Sequence, residues 1–383
     1  MKKKIAIIAG IVFVVLLVLA MLVVLGFKLY DHIKYNDFYD VAEREYYIPG
    51  LMEGYVPQGF DYMKEEKVFL SCGYMSNDKA SRVYVISEDG DEFYYTELMA
   101  KNGREYTGHT GGVAYYGEYL YITGSDGVDV FYLSDILDKS IPKAAHIGTI
   151  LTCDVECEDC DAGNCDEHVG FGKGIGINPA YCFIYDGELF VGSFHKDGDY
   201  NTPEKHHITT DAGDENKAMM VSFALGTGKF SKYGIYGEFS DKTVDILPTP
   251  VAAYSMPSFV QGVCVASYET LVENKMTTAQ RMVLSTSWGL TTSRLSFYDL
   301  KKVRGTTSDY ISKEYGMDVP LYYVDSASLI ESDTVEAPPM SEEIVYLDGK
   351  IWIMNESACN KYIFGKLTTG NYLYSVEYPK KAK

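Results

Sequence analysis

The sequence predicts an all-β chain, a β-propeller of five blades with six as the alternative, preceded by one N-terminal transmembrane helix. Three observations carry that prediction. First, related phrases recur in fixed order: Pro57-Gln58-Gly59-Phe60, His109-Thr110-Gly111-Gly112, Tyr181-Cys182-Phe183-Ile184, Val260-Gln261-Gly262-Val263 and Pro339-Met340-Ser341-Glu342. Self-similarity of this kind is the mark of a repeat architecture. Second, Val, Ile, Phe and abundant Tyr fill short alternating runs between glycine-containing turns, which is the pattern of short strands, and no long amphipathic helical period follows residue 45. Third, an uncharged apolar run from Ile5 to Phe27 stands apart from everything after it.

That run is long enough to span a bilayer as a helix, which takes about 20 residues. Lys2, Lys3 and Lys4 flank it on the N-terminal side, so the positive-inside rule puts residues 1–4 in the cytoplasm and the rest outside. The expected organisation is a basic tip (1–4), a signal anchor (5–29), a stalk (30–48) and an extracytoplasmic propeller (49–383), with a Cys-rich insertion at 153–168. The protein is then a single-pass cell-membrane protein, its partner the membrane itself. A cleaved signal peptide is the rival reading; the apolar core is longer than usual for one, and no A-x-A-like site follows it.

The units follow in order. The first runs from Gln58, with strands at Val68–Ser71 and Arg82–Ile86 and a turn at Glu88-Asp89-Gly90-Asp91. The second follows Gly111-Gly112 through Tyr119–Ser125 and Val128–Leu133. The third covers Tyr181–Ile184, Leu189–Phe194 and, beyond a polar surface loop from His195 to Lys217, Met219–Phe223. The fourth starts at Gln261 and makes an excursion from Tyr268 to Arg281; the fifth contains Lys350–Ser357. Aligning the phrases makes Gln58, Gly111, Tyr181, Gln261 and Glu342 equivalent. Their spacing, about 50 to 80 residues, exceeds the ~40 to 45 of a compact four-stranded blade, so each unit carries loops. A sixth, degenerate blade would have to lie between Lys229 and Met256, where Tyr233–Phe239 is strand-like.

The order P-Q-G, H-x-G-G, Q-G-V and P-x-M-S-E resembles a group of largely uncharacterised secreted or membrane-anchored bacterial β-propeller proteins. The resemblance covers roughly residues 50 to 365 and departs from the group at Glu343, where a glycine often stands. It implies fold and export and carries over no activity. The formal net charge of −20 argues against a nucleic-acid partner, which needs a basic face.

In a propeller the first strands of the blades line a central channel, so repeat-equivalent positions converge on it. Gln58, His109, Tyr181, Gln261 and Glu342 are therefore the expected ligand-binding rim, with Glu356 as a second acid near Glu342. The bland reading of each Gln-Gly pair is structural, the side chain bonding the next blade's backbone where Gly allows close approach. A channel carboxylate such as Glu342 is costly unless paired, hydrated or bound to a cation, with calcium as the candidate. The recurring Ser71, Ser125, Ser193, Ser287 and Ser357 read as turn caps; no G-x-S-x-G elbow surrounds them.

Cys153, Cys157, Cys160 and Cys165 crowd one acidic loop. Outside the cell they read as two disulfides, with a zinc site or free thiols as alternatives. Cys72, Cys182, Cys264 and Cys359 lie in apolar strands and read as small buried hydrophobes. Two functions follow: a surface-displayed module binding a glycan, peptide or envelope protein, or an extracytoplasmic hydrolase of the glycoside or lactone class working at the channel mouth. An envelope component without small-molecule chemistry is the third reading.

Overall fold

The computed structural model describes residues 2–100, 102–125, 127–152, 176–226, 247–272, 275–304, 319–362, 364–368 and 370–379. Helix α1 (Lys2–Lys34) leads through a short helix α2 (Asn36–Tyr39) into strand β1 (Ala42–Tyr47). The first antiparallel meander is β2 (Tyr55–Met63), β3 (Val68–Met75), β4 (Arg82–Ser87) and β5 (Phe93–Met99). The second is β6 (Val113–Tyr116), β7 (Tyr119–Thr123), β8 (Gly127–Tyr132) and β9 (Lys143–Leu151). The third opens with β10 (Pro179–Tyr185) and β11 (Glu188–Ser193). A small hairpin, β12 (Ile208–Thr209) with β13 (Glu215–Asn216), precedes its outer strands β14 (Ala218–Gly226) and β15 (Leu247–Met256). The fourth has β16 (Val260–Val272), β17 (Lys275–Thr286) and β18 (Ser293–Asp299); β19 (Leu321–Tyr323) then adds in parallel to β15 before β20 (Val335–Ala337) completes it. The last is β21 (Ser341–Leu347), β22 (Lys350–Asn355) and β23 (Tyr372–Glu377), with β1 as its outermost strand.

The protein is thus all-β and propeller-like. The first strands of the meanders succeed one another round a circuit: β2 lies against β6, β6 against β10, β10 against β16, β16 against β21, and β21 back against β2. Each meander hides both faces, because a separate apolar cluster fills the seam to each neighbour. Leu70, Val85, Val113 and Leu120 fill the seam between the first two meanders; Phe60, Phe69, Trp352 and Met354 fill that between the last and the first. A fully buried side chain of this size contributes roughly 1.5–3 kcal/mol, so the seams are the main stabilising element. One parallel contact, β5 with β9, joins the first two meanders edge to edge.

Glycine sets how closely the first strands approach. A methyl group on Gly112 would lie 2.5 Å from the Cys182 nitrogen and 2.7 Å from the Tyr181 Cα of the next meander. Only a residue without Cβ fits there.

Closure differs from the expected free stalk at 30–48. Ala42, Glu43 and Arg44 pair with Val376, Ser375 and Tyr374, so β1 protects the outer edge of the last meander. Tyr35 and Phe38 are buried in the cluster around Tyr374, and the Tyr39 hydroxyl donates to Asp31 Oδ2 at 2.7 Å. The helix side of the chain is therefore packed onto the ring. Helix α1 is long and apolar enough to cross a membrane, and its side chains from Lys3 to Tyr30 are exposed all round. The expected excursion from Tyr268 to Arg281 is instead the far end of the β16–β17 hairpin, paired out to Val272↔Lys275. The strand-like stretch Tyr233–Phe239 falls outside the described residues.

Candidate ligand-binding mouth of the channel

Register fixes which residues share a level of the channel. The strand pairings shift at Gln58, Ala180, Gln261 and the Glu342-Glu343 pair, a bulge repeated at the start of β2, β10, β16 and β21. A bulge re-aims side chains and ends pairing, and it is common beside functional sites. Ala180, not Tyr181, is the equivalent of Gln58 in the third meander. Tyr181 falls one position on, its ring against Gly192, fully buried and with no hydrogen-bond partner for its hydroxyl, so it is not at the rim. The expectation failed because a bulge between Pro179 and Tyr181 adds a residue that sequence alignment does not see.

The level of Tyr181 holds the central feature of the channel. Glu343 is almost completely buried and gathers backbone donors from three meanders. Its Oε2 accepts from Phe60 N at 2.7 Å and Val113 N at 3.0 Å, and its Oε1 from Cys182 N at 3.2 Å. Inner-strand N–H groups facing the axis would otherwise be orphaned, and a carboxyl group satisfies them together. Burial, the largest effect, raises its affinity for a proton well above the ordinary carboxylate range, while the N–H donors oppose that rise. Asp61, further along β2, repeats the device on a smaller scale, accepting from Tyr62 N (2.8 Å) and Tyr115 N (3.1 Å).

At one end of the channel the last and first meanders build a polar cluster. Met340, in a left-handed conformation (φ 64°) ahead of β21, turns the chain so that its carbonyl accepts from Glu356 N at 3.1 Å. A bulky residue in that region is strained, and such strain concentrates at functional sites. Phe259 (φ 68°) makes the matching turn before β16 and accepts from Ser287 N at 3.0 Å. Glu342 and Glu356, both buried, are hydrogen-bonded to each other. Glu356 Oε2 also accepts from Gln58 Nε2 at 2.8 Å and from the Tyr362 hydroxyl at 3.2 Å. Burial, then the charges of Glu356 and Glu343, hold Glu342 well above its usual range. Burial carries Glu356 to about 7, with Lys361, Tyr362 and Gln58 opposing. Both carboxyls are therefore held above their usual range, Glu342 the further, as two close buried carboxyls are.

Around this pair, Lys361 Nζ donates to the Tyr74 hydroxyl and lies 4.7 Å from the Tyr74 ring centre, and the His109 ring lies 5.0 Å from Tyr74. His109 reaches solvent yet is ringed by protein; that desolvation, then the Lys361 ammonium, lowers the proton affinity of its imidazole. The structure thus brings Gln58, His109, Glu342 and Glu356 to one mouth. Gln261 occupies the same bulge level on β16 and is half-buried, and its neighbour Gly262 packs against the backbone of Glu342 and Glu343. Cys153, Cys157, Cys160 and Cys165 lie outside the described residues. Cys72, Cys182, Cys264 and Cys359 are buried and unpaired. No group of three or more His, Cys, Asp or Glu is placed to hold a metal ion among the described residues.

The opposite side of the mouth is aromatic and was not legible in the sequence. Pairing register makes four positions equivalent, each the residue after the partner of the last residue before the bulge (Gly73, Ser193, Thr286 and Asn355): Tyr74, Phe194, Ser287 and Glu356. Phe194, on the third meander, packs its ring 5.5 Å from Tyr200, 5.9 Å from Trp288 and 6.1 Å from Phe259. The His195–Lys217 segment, expected as a plain surface loop, holds Tyr200 through paired backbone bonds with Lys196, and His195 is buried beneath it, its Nδ1 2.8 Å from Thr202 Oγ1. The serine hydroxyls act within the fold: Ser71 bonds Tyr55, Ser193 bonds the Met219 carbonyl, and Ser293 donates to Ser287.

Fold and site define a propeller-like all-β protein with a buried, coupled carboxyl pair on its last meander and an aromatic cluster on its third and fourth. No family model matches the chain, and no curated protein matches it in sequence. Among solved structures it is similar to hydrazine synthase of Kuenenia stuttgartiensis, at 10% identity over 87% of this chain and 99% of that one, with a TM-score of 0.31. A second is RS223-beta-xylosidase, at 12% identity over 88% of this chain and 94% of that one, with a TM-score of 0.35. The N-terminal domain of Nup159 is a third, at 8% identity over 88% and 94%, with a TM-score of 0.29.

Proposed function

We propose that the chain is a membrane-anchored, five-bladed β-propeller that binds a ligand at the channel mouth around Glu342 and Glu356, on the outer side of the cell membrane. The single observation that carries this reading is the Gln58–Glu356–Glu342–Tyr362 network. It places two buried carboxyls, an amide and a phenol at one end of the circuit of first strands, where packing would favour apolar side chains. The circuit of five first strands supports the blade count, and the lysines at the start of α1 support an inside N-terminus. The resemblance to exported bacterial propellers is consistent with this placement.

A glycoside hydrolase built on the same pair fits less well. Glycosidase carboxyls stand about 5–5.5 Å apart when they retain configuration and about 6.5–9.5 Å when they invert it. Glu342 and Glu356 are in direct hydrogen-bond contact, leaving no room for a glycosidic bond between them.

The test is thermal unfolding of the full-length chain in lipid nanodiscs against four probe sets: neutral oligosaccharides, acidic oligosaccharides, basic peptides and acidic peptides. A ligand at 100 times its Kd stabilises by about 2.7 kcal/mol. At least one set is expected to raise the Tm of wild type and not that of Gln58→Ala or Glu356→Gln. Stabilisation that is equal in the variants, or absent for all four sets, would remove the mouth as the binding site.

A further inference from the structure

We propose that the ligand of this mouth is a neutral oligosaccharide, stacked on the aromatic wall of the third and fourth meanders while its hydroxyls bond the polar cluster of the last and first. This deepens the binding reading above and rests on it. Because the register-equivalent rim positions run in ring order, Tyr74 and Glu356 fall on adjoining meanders, as do Phe194 and Ser287, and the two pairs face one another.

The aromatic half keeps rings open to water that a fold would normally bury. Tyr200 is 54% exposed and Phe259 is 38% exposed, while Phe194 and Trp288 are half-buried behind them. Lys196 Nζ lies 4.7 Å from the Trp288 ring centre and fixes its tilt from one side. Phe194 and Trp288 are tilted by 32° while Tyr200 stands edge-on to both, at 88° and 70°, and the exposed faces of such rings suit the apolar C–H face of a pyranose or furanose ring at little entropy cost.

The polar half is a set of hydroxyl-recognising groups. Glu356 accepts, the Glu342 acid donates to it, and Gln58, Tyr74 and Tyr362 offer an amide and two phenols. Its net charge is small: burial raises the proton affinity of both carboxyls, Glu356 to about 7, Lys361 adds one positive charge, and desolvation lowers the proton affinity of His109. In a chain of net charge −20 that local balance is the opposite of what a cationic ligand selects, and it gives an anion no excess of cations. A peptide would draw on a free strand edge for main-chain bonds, and on the axis side of the first strands the N–H groups of Phe60, Val113, Cys182 and Tyr115 already donate to Glu343 and Asp61.

Trp288 supplies the readout. The chain has two tryptophans, and the other, Trp352, is buried in the seam between the last and first meanders, so a change on binding reports Trp288. The experiment titrates the full-length chain in lipid nanodiscs, because glycosidic detergents carry the ligand's own chemistry. The probes are xylohexaose, cellohexaose and chitohexaose, with oligogalacturonate and hexaglucosamine as charged analogues and a random peptide pool as the other class. A neutral hexasaccharide is expected to change Trp288 emission with a Kd at least tenfold below that of its charged analogues. Tyr200→Ala, on an exposed ring that bears little of the fold, and Trp288→Ala, read by calorimetry, are each expected to weaken it tenfold or more. If the peptide pool or a charged sugar binds instead, and Glu356→Gln abolishes that binding, the saccharide assignment is overturned while the mouth stands. If none of the probes binds, or binding survives in Glu356→Gln, Tyr200→Ala and Trp288→Ala alike, both fall.

Discussion

Replacing Glu343 tests how the channel is held shut. In Glu343→Ala the amides of Phe60, Val113 and Cys182 lose their shared acceptor in a site that is almost completely buried. An unsatisfied buried donor costs about 1–3 kcal/mol, so the three sum to roughly 3–9 kcal/mol. Relief from burying the carboxyl offsets part of that, which places the net loss near the lower end, still a large share of a typical 5–15 kcal/mol stability. Glu343→Gln separates the contributions. Its amide oxygen can serve Phe60 and Val113, as Oε2 does, but its NH2 group faces the Cys182 N–H, so one bond is lost, at about 1–3 kcal/mol. The assay is urea unfolding of the full-length chain followed by far-UV circular dichroism, with amide exchange read at the three donors. The expected order of stability is Glu, Gln, Ala, with faster exchange at Cys182 in the glutamine variant and at all three donors in the alanine variant. An alanine variant within about 1 kcal/mol of wild type, with the three amides still protected, refutes the pin.

Three further outcomes follow from the same contacts. Glu356 has a folded-state pKa raised from 4.5 to about 7, so its contribution is present below pH 4.5 and lost as pH rises through 7, on the order of 3 kcal/mol by linkage; unfolding curves should show stability falling from pH 5 to 8 and flattening in Glu356→Gln. Phe38→Ala, at a site 1% exposed, should cost about 3–5 kcal/mol in the same urea assay, whereas a freely tethered stalk would show no change. Gly112→Ala should lower the Tm and loosen Cys182 amide protection, costing about 1–3 kcal/mol, because the added methyl meets the backbone of the third meander and no flexible side chain can move aside.

The repeating strands were legible because each alternates apolar residues between glycine turns, and Gln58, His109, Glu342 and Glu356 could be placed near the axis from repeat spacing alone. Tyr181 was misplaced by one because the bulge at Ala180 shifts register without changing composition. Strand β1 went unread because an outermost strand exposes half its residues, so Glu43, Arg44 and Glu45 look like linker. Glu343 was read only as a departure from a glycine. Its partners are backbone amides contributed by three distant strands, and backbone donors leave no trace in side-chain identity. Tyr74 lies inside its strand and Phe194 one residue beyond its own, so only pairing register, and not spacing along the chain, reveals that they share a level with Glu356.

The most direct test of the mouth is diffraction from crystals of the full-length chain soaked with xylohexaose, cellohexaose or chitohexaose. The account predicts sugar density between the Glu342–Glu356 pair and the Phe194–Trp288 wall, with at least one hydroxyl in hydrogen-bond reach of Glu356 or Gln58. Sugar density confined to the outer strands and loops, with the mouth holding only water, would contradict it.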